Sequence, residues 1–191
     1  MNRYQVTKQA DVLMLFHLLG HGGVSALVER LGLRLAEGWC ERTVTHYMQR
    51  ISHESSLSRI VCAGALAECD REASWRYYRQ ALHTDLGTGA SASTHEGVHL
   101  GAMAGCWDVL QRFYLGLRIE PGTVAVDPCP PDALDDVRIV LWLRGGRLEL
   151  HLQGRHLHLA LDRAAPAALA LRFRRERLDL QPGRSFSLAC R

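Results

Sequence analysis

The sequence predicts an α+β protein in two parts, helical over residues 1–119 and a small antiparallel β-sheet or sandwich domain over 120–191. Three observations carry this. Apolar residues recur at helical spacing up to about Gly116. After Pro121-Gly122 they alternate with polar residues, the pattern of half-buried strands. Between the two patterns, Asp127-Pro128-Cys129-Pro130-Pro131-Asp132 places three prolines in a stretch that forbids a helix and suits an extended connector.

In the helical part, residues 6–19, 24–31, 43–50 and 57–68 read as four helices separated by glycine and polar residues. Asp70 caps a fifth, in which Trp75, Tyr78 and Leu82 share a face. A sixth is expected from Ser93, which stands three residues before Glu96 in capping-box spacing, through Trp107, Leu110 and Tyr114 to Gly116. The first helix carries Lys8, Gln9 and Asp11 among apolar residues, as part of a larger helical array would. In the second part, Val137, Ile139, Leu141 and Leu143 alternate with Arg138, Val140, Trp142 and Arg144. A Gly145-Gly146 hairpin turn is expected next, then strands through Leu148 to Leu152, Leu157 to Leu161, Leu169 to Phe173, Leu178 to Leu180 and Phe186 to Leu188.

Composition narrows the function classes. A chain of 191 residues with 47% hydrophobic and 23% charged residues fits one large or two small globular domains. The net charge is only +3 and the basic residues are scattered, which argues against nucleic acid as a partner. Arg172, Arg174, Arg175 and Arg177 alternate with apolar residues and read as the solvated side of a strand. None of the six cysteines has Cys-x-x-Cys spacing, so neither a metal site nor a disulfide framework is expected, and reduced cytoplasmic thiols are. His151, His156 and His158 fall on the polar side of their strands, where solvent exposure is the expectation. No signal peptide is evident, and residues 12–19 are too short an apolar run to cross a membrane.

The segment that carries chemistry is Ser93 to Gly105. A helix start leaves backbone N–H groups unpaired and carries partial positive charge. His99 adds a donor, and Gly97, Gly101 and Gly105 recur every fourth residue, stripping one face of side chains. This describes an anion-binding helix end facing a pocket. The same small-residue stripe also describes tight packing against a neighbouring helix.

Three motifs occur in order: Thr7-Lys8-Gln9-Ala10-Asp11-Val12, Ser52-His53-Glu54-Ser55-Ser56-Leu57-Ser58, and Thr94-His95-Glu96-Gly97-Val98-His99 continuing through Gly105. Asp127-Pro128 and the Leu143-Arg144-Gly145 turn follow. Through these the chain resembles glycoside hydrolase family 65, whose members include inverting phosphorylases of trehalose, maltose, kojibiose and nigerose as well as some hydrolases. The resemblance implies the C-terminal part of an (α/α)6 barrel followed by the family's C-terminal β domain. It implies Lys8 and Gln9 on substrate, Ser55, Ser56, Gly97 and His99 on phosphate, and inorganic phosphate as co-substrate with no other cofactor. It places the general acid, a Glu in a Gly-Pro-Asp-Glu-type motif, upstream of the Lys-Gln motif, so that no catalytic residue is expected here. Implied partners are a disaccharide and phosphate, the remaining N-terminal part of the enzyme as a separate chain, or a second copy in a homodimer, with no membrane. Glu54, Ile51 and Cys106 depart from the family's commoner Asp, Thr and Thr.

Each residue also has a plainer role. Lys8 can snorkel from a buried helix end. Ser55 and Ser56 can cap the helix that follows. Glu96, a base in a hydrolase reading, can close the capping box with Ser93. The function readings are therefore the C-terminal portion of a trehalose- or maltose-type phosphorylase, a family hydrolase portion, or a non-catalytic sugar-phosphate or partner-binding module.

Overall fold

The structure, a computed structural model, describes residues 10–52, 56–86 and 97–190. The chain forms two compact units, Met1–Val109 and Leu110–Arg191.

The first unit is helical. Helix α1 (Asp11–Arg30) runs through the glycine-rich stretch where the periodicity predicts a break between two helices. The break survives as a kink at Gly20, whose φ of 69° is open to glycine at little steric cost. α1 is long and apolar enough to cross a membrane by length and composition. In this unit Leu13, Phe16 and Val24 instead enter a core with Val44 of α2 (Trp39–Met48) and with Val61, Cys62 and Ala65 of α3 (Ser56–Leu66). α3 is central. From Ile60 to Leu66 every residue is buried, and the small ones let neighbouring backbones approach. α4 (Arg71–Leu82) is capped as the sequence predicts: the Asp70 carboxylate accepts the Ala73 N–H at 2.9 Å. Ser74 returns from α4 to donate to Ala63 O of α3 at 2.6 Å.

α5 (Leu100–Val109) differs from expectation. Gly97, Val98 and His99 are not helical, so a helix continuous from Ser93 is corrected to one that begins at Leu100. The physical reason is local: Gly97 has φ 114°, which no α-helix accommodates, and the His99 N–H is held by the Asp85 carboxylate at 2.9 Å. Ser93 and Glu96 lie outside the described residues. After Val109 the backbone widens into a π-helical turn, Leu110–Tyr114, in which the Leu115 N–H reaches back to Leu110 O.

The second unit holds two four-stranded sheets, in order β1-β2-β6-β7 and β3-β4-β5-β8. The strands are β1 (Arg118–Glu120), β2 (Thr123–Val126), β3 (Asp136–Leu143), β4 (Gly146–Gln153), β5 (His156–Leu161), β6 (Leu169–Phe173), β7 (Glu176–Leu180) and β8 (Ser185–Ala189). Pairing is antiparallel except between β2 and β6, which run parallel. The alternation read from the sequence is realised in the core, where Val137, Ile139, Leu148, Leu150, Leu152, Leu157, Leu159 and Leu161 meet Val124, Leu171, Phe173 and Leu180. Burying each such leucine stabilises the unit by roughly 2 kcal/mol.

The expected Gly145-Gly146 turn is shifted by one residue. Arg144 (φ 51°) and Gly145 (φ 80°) form it, and Gly146 already pairs with Leu143. The proline-rich segment leads from β2 to β3, with the Cys129 N–H donating to Tyr114 O. β1 and β2, joined through Pro121-Gly122, went unanticipated, although Ile119, Val124 and Val126 flank a strong turn signal.

Candidate functional site

The relation between α3 and α5 organises the candidate site. A Cβ on Gly101 would lie 3.5 Å from Leu57 Cδ2, and one on Gly105 would lie 2.8 Å from Ile60 Cγ2. The two contacts advance in the same direction along both helices. α3 and α5 therefore lie side by side in the same sense, with their N-termini at one end. Both readings of the glycine stripe then apply to different residues. Gly101 and Gly105 serve packing against α3, whereas a Cβ on Gly97, ahead of α5, would have no atom of the described residues within 4 Å. Two parallel helix starts place two partial positive charges together, each worth about 0.3–1 kcal/mol to a nearby anion.

At that end stand Ser56, the first residue of α3 and half-buried, and His99, the residue before α5. His99 is held at two points. Its N–H donates to Asp85 Oδ2 at 2.9 Å, and its ring Nδ1 lies 2.7 Å from Asp85 Oδ1. The carboxylate is nearly covered, with 8% of its side chain exposed, whereas the ring keeps 26%. The hydrogen bond to the His99 ring is the largest influence and holds the Asp85 carboxyl below the usual carboxylate range; burial pushes the other way, and the His99 backbone N–H and the charge of the ring add to the lowering. The carboxylate is therefore ionised at neutral pH and can only accept.

Of the residues picked out by sequence, Ser56 and His99 are thus brought to one end of the unit, with Gly97 two residues ahead of His99. Lys8, Gln9 and Ser55 lie outside the described residues. Not every amide at the start of α5 is open: the Leu100 N–H goes to Val98 O and the Ala102 N–H to His99 O. The anion-holding capacity there rests on the imidazole, the Ser56 hydroxyl and the helix dipoles more than on bare backbone donors.

Asp85 was not singled out by sequence. It lies 14 residues from His99 with no motif around it, and only the short step past the C-terminus of α4 brings it there. A separate cleft of about 750 Å³ opens in the β unit, lined by Asp127, Pro128, Cys129 and Phe173 to Glu176. Arg174 there lies over the Phe173 ring at 5.0 Å, with Asp127 3.7 Å from its Nε. None of the sequence-derived site residues belongs to it. His156 and His158 are exposed, and His151 is half-buried, 2.9 Å from Asp136.

A family model described as the glycosyl hydrolase family 65 central catalytic domain matches residues 1–108. An uncharacterized glycosyl hydrolase of Mycobacterium tuberculosis is 35% identical over 189 residues, 99% of this chain and 14% of that protein. A trehalose 6-phosphate phosphorylase of Lactococcus lactis subsp. lactis is 32% identical over 159 residues, 83% of this chain and 21% of that protein. A solved structure described as a kojibiose phosphorylase from the human microbiome matches with a TM-score of 0.71 at 17% identity, over 96% of this chain and 24% of that one, and so shares the fold. The chain spans 14% and 21% of the lengths of the two relatives.

Proposed function

Since the chain belongs to glycosyl hydrolase family 65, we propose that it is the oxyanion-binding portion of an inverting disaccharide phosphorylase of the trehalose or maltose type. The observation that supports this reading is the pair of parallel helix N-termini, α3 and α5, meeting at one end with Ser56 and an anchored His99. Phosphate held there accepts hydrogen bonds from the imidazole, from Ser55 and Ser56 and from the Gly97 N–H. Lys8 and Gln9 complete the pocket against phosphate and sugar hydroxyls.

In such an enzyme phosphate replaces water as the attacking group, so the site that aims it does the work a general base does in an inverting hydrolase. The general acid and the rest of the sugar pocket come from polypeptide outside this chain, in the first part of an (α/α)6 barrel whose last helices are α1 to α5. That complement is either a separate chain or a second protein segment, and the working compartment is the cytoplasm. No cofactor beyond phosphate is required. A similarity to a trehalose 6-phosphate phosphorylase favours a trehalose-type substrate over maltose.

Calorimetric titration of inorganic phosphate into the full chain tests the reading. Binding in the millimolar range, about −4 kcal/mol, is expected. His99→Ala, removing a charge-assisted hydrogen bond, weakens it about 10- to 100-fold, and Ser56→Ala a few-fold. No heat in any variant overturns the reading. Robust release of glucose 1-phosphate by the chain alone, from trehalose or maltose with phosphate, overturns the assignment of the acid to other polypeptide, since losing a general acid costs about 10²- to 10⁴-fold.

A further inference from the structure

Resting on the oxyanion reading above, we propose that Asp85 is a positioning residue that fixes the His99 ring with Nδ1–H inward, leaving Nε2 as the atom presented to the ligand. Both carboxylate oxygens are spent on this one residue, Oδ2 on its backbone N–H at 2.9 Å and Oδ1 on its ring at 2.7 Å. A contact to the backbone alone caps the start of α5 and does nothing for the ring. A contact to the ring alone leaves the backbone free to carry the imidazole away. Holding both sets the place of the residue and the rotation of its side chain together.

The consequence for the ring is chemical. An ionised carboxylate accepts and does not donate, so Nδ1 keeps its proton whether the imidazole is neutral or charged. The neutral ring is then the Nδ1–H tautomer, with its lone pair at Nε2. In the charged form Nε2–H points away from Asp85 and offers an oxyanion a charge-assisted hydrogen bond, with its counter-charge already in place behind it. The exposures agree with this division: the carboxylate is covered and the ring retains an open edge. A carboxylate behind a histidine is the arrangement that orients metal-ligating imidazoles elsewhere in proteins.

The variant that separates ring positioning from helix capping is Asp85→Asn. Its amide oxygen can still accept the His99 N–H, but its NH₂ then faces Nδ1 and donates to it, which forces the proton to Nε2. Nitrogen-15 NMR of the histidine rings in the full chain reads the tautomer directly. The wild-type neutral ring is expected as Nδ1–H and the Asp85→Asn ring as Nε2–H. Phosphate affinity should fall about 10-fold in Asp85→Asn with little change in Tm, and His99→Ala combined with Asp85→Asn should bind no more weakly than His99→Ala. A wild-type Nε2–H ring, an unchanged affinity in Asp85→Asn, or additive losses in the double variant each overturn the proposal. An Nδ1–H wild-type ring in a chain that takes up no phosphate supports the placement of the ring by Asp85 and overturns the oxyanion reading instead. The wild-type spectrum needs no variant to fold.

Discussion

The two units of this chain treat apolar surface differently. In the β unit, the inward residues of both sheets meet in one core, and Leu148, Leu150, Leu152, Leu157 and Leu180 are wholly buried. In the helical unit, Leu18, Leu31, Leu33, Leu86, Val98 and Leu100 are each more than half exposed, with Leu15, Leu19, Leu35 and Trp107 close behind, whereas in the β unit Ile119 and Trp142 are the large apolar side chains exposed to that degree among the described residues. α5 is apolar nearly all round, the character of a helix buried on every side. The β unit thus gathers its apolar residues into one shared core, whereas the helical unit leaves many of its leucines on faces suited to further helices.

The sharpest way to break this contrast is to remove one leucine from each unit. Leu150→Ala, with no exposed surface to begin with, should cost about 2–5 kcal/mol in urea unfolding, and Leu18→Ala less than about 0.5 kcal/mol. Equal losses contradict the division.

Next in size is a test of how α3 and α5 touch. Gly105→Ala drives a methyl to 2.8 Å from Ile60 Cγ2 and should lower stability by about 1–3 kcal/mol, measured by thermal unfolding. The same change at Gly22, where no atom of the described residues lies within 4 Å of the added methyl, should not destabilise the chain, and the smaller backbone freedom of alanine in the unfolded state favours it by a few tenths of a kcal/mol.

The exposed leucines make a prediction about association rather than folding. Leu18→Gln with Leu100→Gln should reduce self-association of the isolated chain in sedimentation velocity without lowering its Tm. Unchanged association assigns it to another surface.

The thiols divide along burial. Cys129 is exposed and should react fast with a thiol reagent in the native chain. Burial pushes Cys62 up to about 12 and Cys106 up to about 11, so both should stay protected until the chain unfolds.

The smallest effect is in acid. The Asp85 carboxyl is held below its ordinary value in the folded chain, so its stabilising contribution is complete above about pH 4 and is lost as pH falls through the lowered value. Tm should therefore drop more steeply below about pH 4 in the wild type than in Asp85→Asn.

The reach of the sequence follows the same contrast between units. The β unit was legible because an inward residue at every second position leaves one consistent register. Leu148, Leu150 and Leu152 announce their face with no help from distant residues. β1 and β2 were missed because strands of three and four residues are too short to show that period. In the helical unit, Asp70 declared its helix locally through a contact three residues away. The start of α5 did not. The pattern Ser93 to Glu96 suggested one beginning, while the positive φ of Gly97 and the Asp85 carboxylate enforce another. Asp85 itself was invisible, because nothing in its own neighbourhood records that folding brings His99 to it.

The central claim is that the N-termini of α3 and α5 act as one oxyanion site. Amide chemical shifts of the ¹⁵N-labelled chain during titration with inorganic phosphate test it most directly. The amides of Ser56 to Ser58 and of Gly97 to Ala102 should move together with a single affinity, and both sets should fall still in His99→Ala. Movement of one set alone, or of neither, contradicts it.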